Sequence, residues 1–156
     1  MKILRIVSIA LVAALAFNAA HAGDIKLPLY QTLALDNGAT VLLMPRKDVP
    51  LVAANIAVRG GALADAAGKE GTADLLGEML SKGAGNRTAL QFAQTVDGAG
   101  GTIGFGSSRE AIVANAQFLS KDSGLMLSLL ADALLRPKME QAEFDKLRKR
   151  AIDGIA

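Results

Sequence analysis

The alternation of apolar and polar residues in the first part of the chain is typical of β-strands. Runs 27–36 and 39–45 flank Asn37-Gly38, a dipeptide that accepts the positive φ angles of a tight hairpin turn. A third apolar run, Leu51–Arg59, combines β-branched residues with a length that favours a strand over a helix. These patterns predict a hairpin and then a third strand, which ends at Gly60-Gly61.

The next part of the chain has the spacing of two amphipathic helices. The first is predicted over 70–82, with Gly83 as its C-terminal stop. The second follows the N-cap residue Thr88 and continues to Val96. The side chains predicted to face the core are Ala73, Leu76, Met79 and Leu80 in the first helix, and Leu90, Phe92, Ala93 and Val96 in the second.

Strand and helix patterns follow again toward the end of the chain. A glycine-rich segment, 98–106, overlaps a predicted hairpin of 102–107 with 110–119, and helices are predicted over 123–135 and 141–155. This order predicts an α+β fold with a mostly antiparallel sheet and helices packed on one face. Because the last helical pattern is still running at Ala156, we expect the domain to be truncated at its C-terminus.

Residues 1–22 have the organisation of a secretory signal peptide. Lys2 and Arg5 supply the positive start, 6–17 the apolar middle, and Ala20-His21-Ala22 the small-x-small cleavage site. The apolar run is shorter than the roughly 20 residues of a membrane span, and an uncleaved anchor is the alternative. We therefore expect an exported, periplasmic domain over 23–156, with no membrane span after cleavage.

Cleavage changes the charge and the available chemistry. The chain has 17 Lys and Arg against 15 Asp and Glu, and loss of Lys2 and Arg5 leaves 15 of each. There is no Cys, and the single His, His21, leaves with the signal. These counts argue against nucleic-acid binding. They also exclude a Cys nucleophile, a Ser-His-Asp triad and a His or Cys zinc site built by the processed chain alone.

Two carboxylates on the first predicted helix are candidates for metal binding. Asp74 and Glu78 lie four residues apart and therefore share a helix face, where a cation could relieve their repulsion. A solvated face, in which Lys82 pairs with Glu78, is the simpler interpretation, because an oxygen-only metal site needs more than two ligands.

The glycine-rich segment has the composition of a nucleotide loop but the wrong context. A dinucleotide fingerprint needs a strand before the glycines and a helix after them, and the predicted order here is the reverse. A turn and strand with close backbone packing is the simpler interpretation. A third is an exposed strand that pairs with an extended peptide. Its candidate substrate-binding residues are Gly101, Thr102, Ile103, Gly104 and Phe105.

The order of several short motifs resembles the pitrilysin/insulinase family of zinc peptidases. The motifs are Val58-Arg59-Gly60-Gly61-Ala62, Gly68-x-x-Gly71-Thr72-Ala73, Glu78-Met79-Leu80-x-Lys82-Gly83, Arg87-Thr88, Phe92, Asp97, Gly100-Gly101, Ser108-Arg109-Glu110 and Glu143-Phe144. The likeness runs from about Leu29 to the end of the chain. It implies the first of several similar α+β domains that form a chamber around an unfolded peptide.

The family's inverted zinc motif, His-x-x-Glu-His, is missing. On the resemblance, Asp74 and Glu78 occupy the two His positions, Gly77 that of the catalytic Glu, and Gly154 that of the third ligand, a Glu. No catalytic or metal residue is carried over, and no cofactor is predicted for this chain. Some family members occur as pairs of one zinc subunit and one silent subunit. The resemblance therefore implies a silent subunit that partners an active zinc peptidase and helps to hold unfolded peptide.

Two other functions stay open. The first is a metal-dependent peptidase with oxygen ligands from Asp74 and Glu78, joined by Asp153, although Gly77 would leave it without a general base. The second is a structural, core-type scaffold subunit with no role in peptide binding.

Overall fold

The computed structural model describes residues 28–154, which fall into two compact units, 28–46 and 47–154. The first unit is an antiparallel hairpin of β1 (Gln31–Ala34) and β2 (Thr40–Leu43). Its turn has Gly38 at φ +83°, and Asn37 Oδ1 accepts a hydrogen bond from the Ala39 amide at 3.0 Å. The predicted hairpin is confirmed with shorter strands, while the predicted signal peptide lies outside the described residues.

The second unit is built on a three-stranded antiparallel sheet. Its strands lie in the order β3 (Leu51–Arg59), β7 (Ala111–Leu119), β6 (Thr102–Ser107). The register places Asn55 opposite Asn115 and Gly104 opposite the same Asn115. Two short strands, β4 (Gly83–Ala84) and β5 (Arg87–Thr88), form a separate small ladder. The predicted third strand and late hairpin are thus confirmed.

Four α-helices complete this unit: α1 (Thr72–Met79), α2 (Ala89–Gly98), α3 (Ser123–Leu135) and α4 (Gln141–Asp153). Thr88 caps α2 as predicted, because its hydroxyl accepts from the Gln91 amide and the Gln91 side chain accepts from the Thr88 amide. The helix predicted over 70–82 is too long at both ends. Gly71, at φ +90°, is the N-cap of α1, and Leu80 is its C-cap. None of the four is long and apolar enough to cross a membrane.

The core lies between one face of the sheet and the helices. Phe118 of β7 and Met126 and Leu129 of α3 are its largest fully buried side chains. Alternate β7 residues turn away from it, so that Asn115 and Gln117 are exposed. This arrangement confirms the α+β class with helices on one face of an antiparallel sheet.

Part of the predicted helix burial is wrong. Leu90 is 67% exposed and Ala93 is also exposed, because only Phe92 and Val96 of α2 face the core. On α1, Leu76 is 37% exposed, whereas Ala73, Met79 and the following Leu80 are buried. Phe92 and Val96 are the buried residues of α2, and the apolar residues Leu90 and Ala93 lie outside this buried stripe.

Candidate functional site

Helix α1 packs against the C-terminal end of β6 through glycine backbones. Gly77 is buried, and a Cβ built on it would lie 2.8 Å from the carbonyl carbon of Gly106 and 2.9 Å from its Cα. Real Cβ atoms essentially never approach another heavy atom so closely. Position 77, to which the resemblance assigns the catalytic Glu, is therefore a packing contact with no space for a side chain in this arrangement.

The two carboxylates of α1 are engaged by neighbouring elements. The Ser107 hydroxyl donates a hydrogen bond to Asp74, which ties α1 to the end of β6. The guanidinium of Arg150, on α4, lies 2.8 Å from the Glu78 carboxylate. The predicted pairing of Glu78 with Lys82 is wrong, because a residue 72 positions along the chain takes that place.

The residues at the expected ligand positions do not fit a zinc ion. Zinc sites in proteins are built mostly from imidazole and thiolate ligands in a tetrahedral set of four. Gly154, at the expected third-ligand position, is the C-cap of α4 and has no side chain. Asp153 beside it pairs with Lys149 at 2.7 Å. Across 28–154, no three His, Cys, Asp or Glu side chains form a group that could hold a metal ion.

An unforeseen carboxylate holds the start of α1. Gly71 has no side chain to cap the helix, and the two oxygens of Asp65 accept hydrogen bonds from the amides of Gly71 and Ala73 at 2.8 and 2.9 Å. Negative charge is favourable at a helix N-terminus. The sequence offered only a weak signal for it, since Asp65 lies six residues before the N-cap.

Glu70, next to the same N-cap, folds its carboxylate back onto the loop. Hydrogen bonds from its own backbone amide and from that of Gly68 lower the pKa of Glu70 below its ordinary value of 4.5. Backbone amides of the loop before α1 and of the first turn of α1 thus donate hydrogen bonds to two carboxylates, those of Asp65 and Glu70.

Four of the five candidate substrate-binding residues, Thr102 to Phe105, lie on β6. Thr102 and Gly104 are exposed, whereas Ile103 and Phe105 are partly buried and pack against the core. Gly101 comes just before the strand, and a Cβ there would lie 2.5 Å from the ring of Phe118. Gly101 is therefore held by packing, and the exposed part of the candidate set is Thr102 and Gly104.

Strand β6 is an edge of the three-stranded sheet. In the part of the chain that the structure describes, its strand neighbour is β7 alone. An edge strand presents unpaired backbone N–H and C=O groups that can pair with another extended chain. Because α1 contacts the Gly106–Ser107 end of β6, the structure brings the two predicted sites, Asp74–Glu78 and the β6 strand, next to each other.

Comparison with known proteins gives a family match over most of the chain. Residues 40–155 match the family described as Insulinase (Peptidase family M16). An uncharacterized zinc protease of Rickettsia bellii (strain RML369-C) is 31% identical over 122 residues, which are 78% of this chain and 30% of that protein. The mitochondrial-processing peptidase subunit beta of Lentinula edodes is 26% identical over 121 residues, covering 78% of this chain and 26% of that protein.

Solved structures show the same fold. One, described as the inactive domain of an M16 peptidase from Pseudomonas fluorescens, has a TM-score of 0.73 at 23% identity, covering 81% of this chain and 31% of its own. A protease from Helicobacter pylori also has a TM-score of 0.73, at 21% identity, covering 82% and 31%. The chain thus spans about a third or less of the length of these relatives and structures.

Proposed function

Because the chain belongs to the insulinase (M16) peptidase family, we propose that it is a catalytically silent member that holds extended peptide. The observation that carries this proposal is that the motif positions on α1 make structural contacts. Its three motif positions are Asp74, Gly77 and Glu78, and each is occupied by a structural contact, with Ser107, Gly106 and Arg150 respectively. A general base within reach of a substrate is required for hydrolysis, and position 77 supplies none.

Peptide would be held at the free edge of β6. Main-chain hydrogen bonds to an edge strand give affinity with little dependence on sequence, which suits an unfolded substrate. The exposed positions Thr102 and Gly104 carry small side chains, and a Cβ at Gly104 would meet nothing within 4 Å. Peptide side chains would therefore find open space above this part of the strand.

The proposal includes a partner and a location. A silent subunit contributes to proteolysis through a catalytic one, so we propose an active zinc peptidase of the same family as the partner, with the zinc ion bound there. The signal-like residues 1–22 support export to the periplasm, where both subunits would meet.

Hydrolysis and binding by the purified chain test the proposal together. A labelled unfolded peptide should bind saturably, as followed by fluorescence anisotropy, and should remain uncut with or without added zinc. The same peptide carrying N-methyl groups at alternate residues cannot donate the same hydrogen bonds and should bind more weakly. Zinc-dependent turnover by the isolated chain would refute the silent assignment.

A proline variant tests whether the peptide lies on β6. Consecutive strand residues direct their N–H groups to opposite edges, and the Ser108 amide donates to the Ala111 carbonyl on the β7 side. By alternation, the Gly104 N–H faces β7 and the Ile103 N–H points outward. Proline lacks this donor, whereas Ile103→Ala keeps it and loses the same core packing as Ile103→Pro. We expect Ile103→Pro to bind peptide more weakly than Ile103→Ala, and equal affinity of the two variants would favour the scaffold function instead.

A further inference from the structure

A second charged cluster lies where the β4–β5 turn meets the C-terminal end of α3. Asp132 of α3 is the buried charged residue of the described chain, with its side chain 7% exposed. Its carboxylate accepts a hydrogen bond from Arg87 at 3.0 Å and another from Arg136, one turn further along. A buried carboxylate needs such partners, because burial of an unpaired charge is strongly unfavourable.

The cluster has more positive than negative charge. Two guanidinium groups share one carboxylate, which leaves a surplus of one positive charge. Within 28–154, neither Arg87 nor Arg136 has another acidic partner. Each guanidinium carries five N–H groups, and one of them donates a hydrogen bond to Asp132. Most of the N–H groups therefore remain available for a further acceptor.

These free donors border a cavity of about 340 Å³. It is lined by Gly85, Asn86, Arg87, Asp132 and Arg136. The Asn86 side chain adds an amide that can donate hydrogen bonds to an anion. The helix ends nearby carry charges of opposite sign, since α2 begins and α3 ends here. The surplus guanidinium charge favours an anionic ligand in the cavity.

Backbone hydrogen bonds hold the turn that lines one side of the cavity. The Gly85 amide donates to the Arg136 carbonyl at 2.9 Å, and the Lys138 amide donates to the Gly83 carbonyl at 3.0 Å. Gly85 has φ +56°, and a Cβ there would lie 2.8 Å from Asp132 Oδ2. The turn is thus held against α3, and a site organised in advance loses less entropy on binding.

We propose that this cavity binds a small oxyanion, a carboxylate or a phosphate, between Arg87 and Arg136. Planar guanidinium groups match both oxyanions through paired N–H donors, and Asp132 holds the two groups in position. The carboxylate could come from the C-terminus of a peptide and the phosphate from solution. The site is independent of peptide pairing at β6, so that function can fail without affecting it.

Calorimetric titration of the purified chain at constant ionic strength tests the site. The probes are inorganic phosphate, a short peptide with a free C-terminal carboxylate, and the same peptide with an amidated C-terminus. Saturable binding of phosphate, or tighter binding of the free-carboxylate peptide than of the amidated one, supports the site and identifies the source. Absence of saturable phosphate binding together with equal binding of the two peptides overturns it.

Two arginine variants separate the site from general charge. Arg136→Gln removes one guanidinium but keeps the Arg87–Asp132 pair, so the buried carboxylate remains compensated. Arg148→Gln is the matched control, because Arg148 is also an exposed arginine paired with an acid on its own helix. We expect Arg136→Gln to weaken oxyanion binding about tenfold, and Arg148→Gln to leave it unchanged. Equal affinity of the two variants would contradict the assignment.

Discussion

At the residue scale, Gly77 shows that the position which the resemblance assigns to the catalytic Glu serves packing in this chain. The α1 backbone at Gly77 touches the backbone of Gly106. The neighbouring atoms are main chain, which cannot rotate away as a flexible side chain could. The contact therefore makes glycine a structural requirement at a position where helix propensity alone would favour alanine.

We expect Gly77→Ala to destabilise the protein by about 1–3 kcal/mol, because the added methyl group forces α1 away from β6. This figure is the net effect, after a gain of up to about 1 kcal/mol in helix propensity has been subtracted. Gly124→Ala is the matched control, since Gly124 is also helical and its Cβ would meet nothing within 4 Å. Chemical denaturation should show the control at least as stable as the parent, and an equally stable Gly77→Ala would refute the packing contact.

Glu70 gives a residue-scale prediction about pH. Its folded pKa is lowered, so the charged form stabilises the folded chain above the ordinary pKa of 4.5, and this contribution is lost as pH falls through the lowered value. Glu70→Gln keeps an acceptor oxygen but has no charge. We expect the parent to be more stable than the variant at neutral pH and the difference to vanish in acid, as measured by urea denaturation at several pH values. A difference that is constant with pH would contradict this.

At the element scale, α1 and α4 are joined by the Glu78–Arg150 ion pair. Both side chains are largely exposed, at 52% and 66%, so solvent weakens their attraction. The pair links the two helices but adds little to the stability of the fold.

A double-mutant cycle with Glu78→Gln and Arg150→Gln should give a coupling energy of about 0–1 kcal/mol that falls as salt is added. The control cycle combines Glu78→Gln with Lys149→Gln. It should give no coupling, because Lys149 pairs with Asp153 and not with Glu78. A coupling well above 1 kcal/mol, insensitive to salt, would mean that the pair is shielded from water.

Local patterns were enough to predict most elements. The β3 and α3 bounds agree with the predicted runs, and the capping box at Thr88 depends on residues only three apart. The Arg150–Glu78 and Arg87–Asp132 pairs join residues 72 and 45 positions apart, and no local period encodes such contacts. The sequence alone shows that α1 has no zinc ligands at the motif positions. The contacts that these positions make with Ser107, Gly106 and Arg150 depend on tertiary packing and could not be predicted.

At the scale of the whole molecule, the predicted signal peptide leads to a test of export. A fusion of residues 1–22 to a reporter enzyme that is active only outside the cytoplasm should give activity in a bacterial host, because the segment has a positive start and an apolar middle. Replacement of Lys2 and Arg5 by Glu should reduce export. Sequencing of the exported full chain should find Gly23 as its first residue, and an uncut N-terminus would favour the anchor alternative.

The contact between Gly101 and Phe118 has a practical consequence for experiments on the proposed peptide binding. The ring leaves no space for a Cβ at position 101, so variation there would disturb the interior of the protein. Thr102 and Gly104, on β6, are exposed, and a Cβ at Gly104 would meet nothing within 4 Å. A library randomised at those two positions, with 101 held constant, would explore selectivity while most of its members still fold.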